Sequence, residues 1–166
     1  MSKTSFELQL LKALNGRIAA DGVDALALRW PLSKFAHQPI DIIVDSEDMN
    51  HYLAIECKSI KRANKAGLYL SSHFSQKVRG DQFKAETEYI QRSGRRGFCA
   101  VELWSSAGNT CHIIPWDGLI QVFGEGRPGL SLIDIMDFPG PRRVPGPKGS
   151  KGGYIIESWS EIFGEC

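Results

Sequence analysis

Two β-rich runs, Ile40 to Asp45 and His51 to Ser59, flank the polar stretch Ser46-Glu47-Asp48-Met49-Asn50. That is the signature of a hairpin with a longer loop. No other feature constrains the fold as much, because side chains alternate faces along a strand. A turn centred between Asp48 and Met49 sets Asp41 across from Glu56. Ala54, Glu56 and Lys58 then share one face, and Leu53, Ile55 and Cys57 the other. Two carboxylates and an ammonium fall in one patch among Ile42, Ile43, Val44, Leu53 and Ile55.

The remaining pattern builds an α/β (α+β) domain around this hairpin. Thr4-Ser5-Phe6-Glu7 opens a helix in which Phe6, Leu10, Ala13 and Leu14 recur at helical spacing. Asn15-Gly16 weakens that helix, and Asp21-Gly22 marks a turn. Ala25 to Trp30 is strand-like, and Lys34 to Gln38 reads as loop. Lys61 to Ser75 is an excursion with a short strand at Leu68-Tyr69-Leu70. Gln76 to Ser93 is predicted as a helix with Phe83, Thr87 and Ile90 on one side, stopping at Gly94. Gly97 to Trp104 and Thr110 to Pro115 are two further strands. The order of helix, three strands, helix and two strands implies a mixed central sheet of about five strands flanked by helices.

These elements place a main domain at 1–137. Residues 138–154, with five glycines and four prolines among them, cannot form one uninterrupted helix or strand and are predicted to be a flexible basic loop. Residues 155–166 form a short amphipathic end. The Gly-Ser-Lys run in the loop lacks the spacing of a phosphate-binding loop.

Apolar residues at 42% and charged residues at 23% give a globular composition. No apolar run approaches the roughly 20 residues needed to span a bilayer. The N-terminus lacks the apolar core of a signal peptide. Cys57, Cys99, Cys111 and Cys166 are widely spaced and resemble neither a disulfide framework nor a zinc knuckle. They are read as reduced thiols, with a cytoplasmic location expected. None of His37, His51, His73 and His112 stands in a catalytic or metal-binding spacing. Net charge is only +1, but Lys58 to Arg96 holds ten Lys or Arg against three Asp or Glu. Such a segment suits either a solvated helix or a face that meets a polyanion.

Charged groups on apolar strands are costly unless paired or bound to a metal. Facing carboxylates repel, and a divalent cation relieves the repulsion. Hard oxygen donors favour Mg²⁺ or Mn²⁺ over zinc. Such an ion can polarise a phosphodiester and help deprotonate water, while a nearby lysine stabilises developing charge. The plainer alternative is a sheet edge decorated by a Glu–Lys neighbour pair.

Pro39-Ile40-Asp41, followed after fourteen residues by Glu56-Cys57-Lys58, resembles the Pro-Asp…(Asp/Glu)-x-Lys signature of the PD-(D/E)XK nucleases, with one extra residue between proline and aspartate. Within that superfamily the chain looks most like the archaeal Holliday junction resolvases and, more distantly, the RecU-type resolvases. Glu7 matches a glutamate in their first helix, and Arg29-Trp30-Pro31-Leu32-Ser33 matches an Arg-x-Pro-x-Ser element before the aspartate. The resemblance covers residues 3 to 116.

It implies a restriction-endonuclease-like fold and a Mg²⁺-dependent endonuclease, with Mn²⁺ able to substitute, acting on DNA at four-way junctions. Asp41, Glu56 and the Cys57 carbonyl would hold the metal, with Glu7 as a further or water-mediated ligand, and Lys58 would stabilise the transition state. Thr4-x-x-Glu7 is equally a capping box. Ser33 would orient the scissile strand and Gln82 the attacking water, unless each is ordinary polar surface. Arg29 would lie near substrate phosphates, unless it snorkels from the core edge. Lys61, Arg62, Lys65, Arg92, Arg95 and Arg96 would contact phosphates as a group.

Paired nicks at a junction imply a homodimer. The apolar residues of Trp116 to Phe123 and Ile155 to Phe163 are candidates for its surface or for packing on their own domain. Another repair or restriction-type enzyme of this superfamily, or a non-catalytic DNA-binding module, are the alternatives.

Overall fold

The alternating strands close into one five-stranded sheet in the computed structural model, which describes residues 3–31, 38–75, 81–148, 150 and 152–166. In chain order the elements are α1 (Lys3–Asp21), β1 (Ala25–Arg29), β2 (Ile42–Ser46), a 3-10 turn (Met49–His51), β3 (Leu53–Lys61), β4 (Gly67–Tyr69), α2 (Leu70–His73) and α3 (Gln82–Ser93). There follow β5 (Arg96–Ser105), β6 (Gly108–Pro115), α4 (Trp116–Gly124), β7 (Gly129–Ser131), α5 (Leu132–Met136), β8 (Arg142–Val144), β9 (Gly153–Ile155) and α6 (Trp159–Phe163).

The sheet order is β1-β2-β3-β5-β6. β3 and β5 run parallel, while the other neighbours are antiparallel. It is the mixed sheet the sequence implies, with α3 in the crossover that a parallel pair requires. The hairpin register is Ile42 opposite Ile55 and Val44 opposite Leu53. Continued by one residue, it sets Asp41 against Glu56, as the alternation predicts. β3 is the middle strand of the five rather than a decorated edge.

Each face of the sheet has its own core. On one side Phe6, Leu10, Leu14 and Ile18 of α1 meet Ile42, Val44, Leu53, Ile55 and Cys57. On the other, Ala54 and Ile60 pack with Ile90 of α3, Trp116 and Leu119 of α4, and Leu68, Leu130 and Ile135 of the small β4–β7 ribbon and α5. The alternation along β3 therefore decides which layer each residue sees.

α1 runs through Asn15-Gly16 without a break. Asn15 compensates for its poor helix propensity by bonding both the N–H and the C=O of Ala27, at 3.0 Å each. β1 is an edge strand, and the amide occupies the outward backbone groups that would otherwise be open to another chain. α3 starts at Gln82 rather than Gln76: Asp81 is its N-cap, accepting from Lys84 N at 3.3 Å, and Gly94 ends it in the left-handed region (φ 70). Residues 76–80 lie outside the described ones.

Two expectations change. The predicted loop 138–154 carries β8 and β9, which pair antiparallel from Arg142 opposite Ile155 to Val144 opposite Gly153. Its proline and glycine content does interrupt it, since each strand is only three residues long. The candidate dimer segments also pack inward. Trp116 and Leu119 belong to the α3–α4 core, and Ile156, Trp159 and Phe163 to the α1 core. Their apolar side chains serve the chain's own domain. Among the described residues no helix is long and apolar enough to cross a membrane, and all four cysteines are free, with only Cys166 exposed.

Candidate active site

β3 extends past the last β2 pair, so the Cys57 amide faces the chain just before β2 begins. The Asp41 carboxylate meets it: Oδ2 accepts from Cys57 N at 2.8 Å and Oδ1 from Gln38 Nε2 at 2.8 Å. The backbone of Asp41 is held as well, its carbonyl accepting from Trp30 N at 2.9 Å. Asp41 is thus fixed at both ends, and it is only 5% exposed.

Glu56 and Lys58 stand two residues apart on one face of β3, both buried. Lys58 Nζ donates to Glu56 Oε1 at 2.8 Å. The ammonium also lies over the Phe74 ring, 4.6 Å from its centroid, where the negative face of the ring favours a cation. Alternation and pairing therefore bring Asp41, Glu56 and Lys58 to one buried patch.

α3 supplies the side facing this patch. Gln82 is the first residue of the helix, tied to Ser75 twice: Gln82 N donates to Ser75 O at 2.8 Å, and Ser75 N to Gln82 Oε1 at 2.9 Å. This fixes the carboxamide with its nitrogen toward the sheet. Nε2 donates to Glu86 Oε1 at 2.6 Å and to Glu56 Oε1 at 3.3 Å. The polar atoms of Gln82 are thus engaged by Ser75, Glu86 and Glu56, which places its amide beside the patch.

Glu86 is a site residue the sequence reading missed. It is 1% exposed, and burial together with the charge of Glu56 pushes its carboxyl up to about 9, with Lys58 pulling the other way. A glutamate within a helix of mixed charge reads as solvated surface. The signal for it was present in the spacing: Gln82, Glu86 and Ile90 recur every fourth residue and so share the face that Ile90 buries.

Glu7 is buried and forms an ion pair with Arg29 Nε at 2.7 Å. α1 already begins at Lys3, so Glu7 lies more than a turn inside the helix and is not the far end of a capping box. Arg29 directs its Nε onto this buried partner and stays partly exposed. Ser33 lies outside the described residues.

The basic residues divide into two groups. Lys61, Lys65 and Arg92 are exposed, with Lys61 over the Trp104 ring at 5.5 Å. Arg62 donates to Thr110 Oγ1 at 2.6 Å and is half-buried. Arg95 and Arg96 are engaged within the chain. Arg95 donates to the Val44 carbonyl at 2.9 Å, pairs with Asp45 and stacks on Tyr52 at 4.0 Å. Arg96 bonds the carbonyls of Asn50 and Phe163. Both guanidiniums are directed onto backbone carbonyls of the chain, which a count of charges cannot show.

Arg95→Ala should therefore lower unfolding free energy by about 2–3 kcal/mol through lost charge-assisted bonds and ring stacking. It should leave the salt dependence of any nucleic-acid binding unchanged. Urea denaturation and a salt titration of binding check both halves; a flattened salt slope at full stability would return Arg95 to the DNA face.

The fold and site together define an α+β domain with a buried Asp–Glu–Lys patch on its central sheet. No protein-family model matches the chain, and no curated protein matches it by sequence. Among solved structures, Hjc, a Holliday junction resolvase from the archaeal hyperthermophile Archaeoglobus fulgidus, aligns at 22% identity over 69% of this chain and 77% of that chain, with a TM-score of 0.44.

Proposed function

We propose that this protein is a Mg²⁺- or Mn²⁺-dependent endodeoxyribonuclease that hydrolyses phosphodiester bonds at four-way DNA junctions. The observation that carries the reading is the placement of Asp41, just before β2, against the part of β3 that bears Glu56, both buried, with Lys58 bonded to Glu56. Buried carboxylates in excess over a single lysine leave the patch negative, and such oxygen donors suit a hard divalent cation. Among the described residues no three His, Cys, Asp or Glu side chains make a ready cage. Mg²⁺ does not require one, since it is held by one or two carboxylates with water and substrate phosphate completing its shell.

Asp41, Glu56 and the Cys57 carbonyl would hold the ion, which supplies Lewis-acid polarisation of the phosphodiester when bound. The residues of the chain do the rest. Asp41 is locked by Gln38 and the Cys57 amide, so its position needs no reorganisation on binding. Glu56 keeps the Lys58 ammonium within the patch, where it can meet charge building on a phosphoryl oxygen. The Glu7–Arg29 pair braces β1 one residue before Trp30, whose amide holds Asp41. Exposed Lys61, Lys65 and Arg92 are the phosphate contacts that remain, and their affinity would come mostly from counterion release.

The junction preference rests on the ordered motif, from Glu7 through Arg29-Trp30-Pro31-Leu32-Ser33 to Asp41 and Glu56-Cys57-Lys58. A two-fold dimer belongs to the same proposal, because it would present two sites with the symmetry of a four-way junction.

Purified protein should be incubated with a junction, a flap, linear duplex and single strand in Mg²⁺, Mn²⁺, Ca²⁺ and chelator, with Asp41→Asn as control. The junction should be cut in Mg²⁺ and Mn²⁺ and bound uncut in Ca²⁺, whose looser geometry activates water less well. Full activity in chelator overturns the mechanism. Preferential cutting of flap or duplex overturns the junction assignment. Binding without cleavage in either cation makes the chain a non-catalytic DNA-binding module.

A further inference from the structure

We propose that the β8–β9 hairpin is a rigid basic arm that grips the phosphate backbone of duplex DNA beside the cleavage site, with Arg142 and Lys148 as its contacts. The inference rests on the DNA-cutting reading above. It adds a binding surface in a part of the chain that the resemblance to resolvases, over residues 3 to 116, does not reach.

The first observation is charge. Residues 139–153 hold four Lys or Arg and no Asp or Glu. Lys148 is exposed and forms no ion pair or hydrogen bond among the described residues. Arg142 is exposed as well, and its pair with Glu157 is open to water at both ends, the side chains being 56% and 61% exposed. Such a surface pair is worth little and is readily exchanged for another anion.

The second observation is rigidity, which a solvated linker of this composition would lack. Tyr154 is buried, and its hydroxyl donates at 2.7 Å to the fully buried Glu102. Glu102 also accepts from Ser59 Oγ and Asn109 Nδ2, at 3.4 Å each. Arg143, opposite Tyr154, lies over its ring at 5.0 Å and donates to Gln9 of α1 at 2.7 Å. Burying a carboxylate among neutral donors is costly, and what it secures here is the orientation of the hairpin. The tip is closed too. The Ser150 N–H donates to the Pro147 carbonyl at 2.8 Å, making a turn with Lys148 on it. A Cβ on Gly146 would stand 2.5 Å from Gly152 N, and Gly152 has φ +67, so glycine is what lets the two sides approach. An arm held in place beforehand loses less entropy on binding.

The third is direction. Tyr154 lies against Phe6, and Glu157 is reached by Arg17, farther along the same helix. Beyond it, Trp159 bonds the Asn50 carbonyl ahead of β3. The tip therefore points the opposite way, past the C-terminal ends of β3 and β5. Glu102, which holds Tyr154, pairs with Ser59, and the exposed Lys61 and Lys65 follow just beyond. From Lys58 to Lys61 is roughly 10 Å along a strand. That is less than the roughly 12 Å width of a major groove, so one duplex laid across the strand ends spans the Asp–Glu–Lys patch and the arm.

The test is binding of a fluorescent duplex and a fluorescent four-way junction in Ca²⁺, followed by anisotropy from about 50 to 200 mM salt. Arg142→Gln combined with Lys148→Gln should weaken binding about tenfold or more at about 100 mM salt. It should also lower the slope of log affinity against log salt by about 2, since each phosphate contact contributes about 0.9. Arg142→Lys combined with Lys148→Arg should bind as the wild type does. Both side chains are exposed, so the melting temperature should stay at the wild-type value. A folded glutamine variant with wild-type affinity and slope overturns the arm and leaves the nuclease reading standing. Weaker binding at an unchanged slope overturns it too, because lost phosphate contacts must release fewer counterions. A wild type that binds neither DNA overturns both proposals. Should the double glutamine variant unfold, Lys148→Gln alone replaces it: a slope lower by about 1 supports the arm, and the wild-type slope overturns it.

Discussion

Asp41→Asn, Glu56→Gln and Lys58→Ala should each slow phosphodiester cleavage by about 100-fold or more, the scale seen when one preorganised charge-stabilising group is removed. Binding to DNA should survive in all three. Asp41→Asn is nearly isosteric and can still accept from the Cys57 amide, so the strand it anchors should hold while one carboxylate charge is lost. Glu56→Gln removes the charge against which Lys58 is set. Lys58→Ala leaves Glu56 without its ammonium and opens space beneath the Phe74 ring. Its loss of rate must therefore be read beside a melting curve. Single-turnover cleavage at saturating protein separates the chemical step from binding. A variant that folds and cuts at near the wild-type rate removes that residue from the catalytic set.

Trp159→Ala should lower the free energy of unfolding by about 3–5 kcal/mol, the range for deleting a large buried aromatic. Trp159 stacks on His51 with centroids 4.4 Å apart and lies against Phe163 at 4.6 Å. Its indole N–H donates to the Asn50 carbonyl at 2.8 Å. Truncation removes an apolar contact, a ring stack and a buried donor together, so the Asn50 carbonyl loses a partner as well. Urea unfolding followed by fluorescence and by circular dichroism should show one transition moved to lower denaturant. A loss under about 1 kcal/mol, or an early transition confined to the last dozen residues, would mean that α6 is an appendage and not part of the core.

The strand bearing Glu56 and Lys58 was legible because its evidence is local. Alternation along β3 and the span between the two runs fix which side chains meet, and Ile42 does stand opposite Ile55 as that count requires. Strands β1, β5 and β6 were legible for the same reason. Glu86 was not, because burial of a charged residue depends on what lies across from its helix, and only the spacing to Ile90 hinted at it. The intramolecular bonds of the Arg95 and Arg96 guanidiniums were not legible, since their acceptors are carbonyls distant in the chain, including Phe163. Proline and glycine in 138–154 correctly forbade long elements but said nothing about two three-residue strands pairing with each other. Tyr154 shows what holds that hairpin down: its hydroxyl donates at 2.7 Å to Glu102, a carboxylate buried on β5.

The helix that opens the described chain is covered by the segment that closes it. Phe6 meets Tyr154 edge to face at 6.1 Å, and Arg17 reaches the carbonyl of Glu157, 140 residues away. During synthesis at about 5–20 residues per second, a stretch of that length takes roughly 7–30 s to emerge. Throughout that interval the apolar stripe of Phe6, Leu10 and Leu14 lacks its final cover, although the hairpin bearing Asp41 and Glu56 has left the ribosome. Contacts so distant in the chain also make folding slow once all partners are present. The strands around Asp41 and Glu56 are thus made early and enclosed late, and nascent chains carry an adhesive helix that a chaperone or the growing sheet must shield until residue 163 is free.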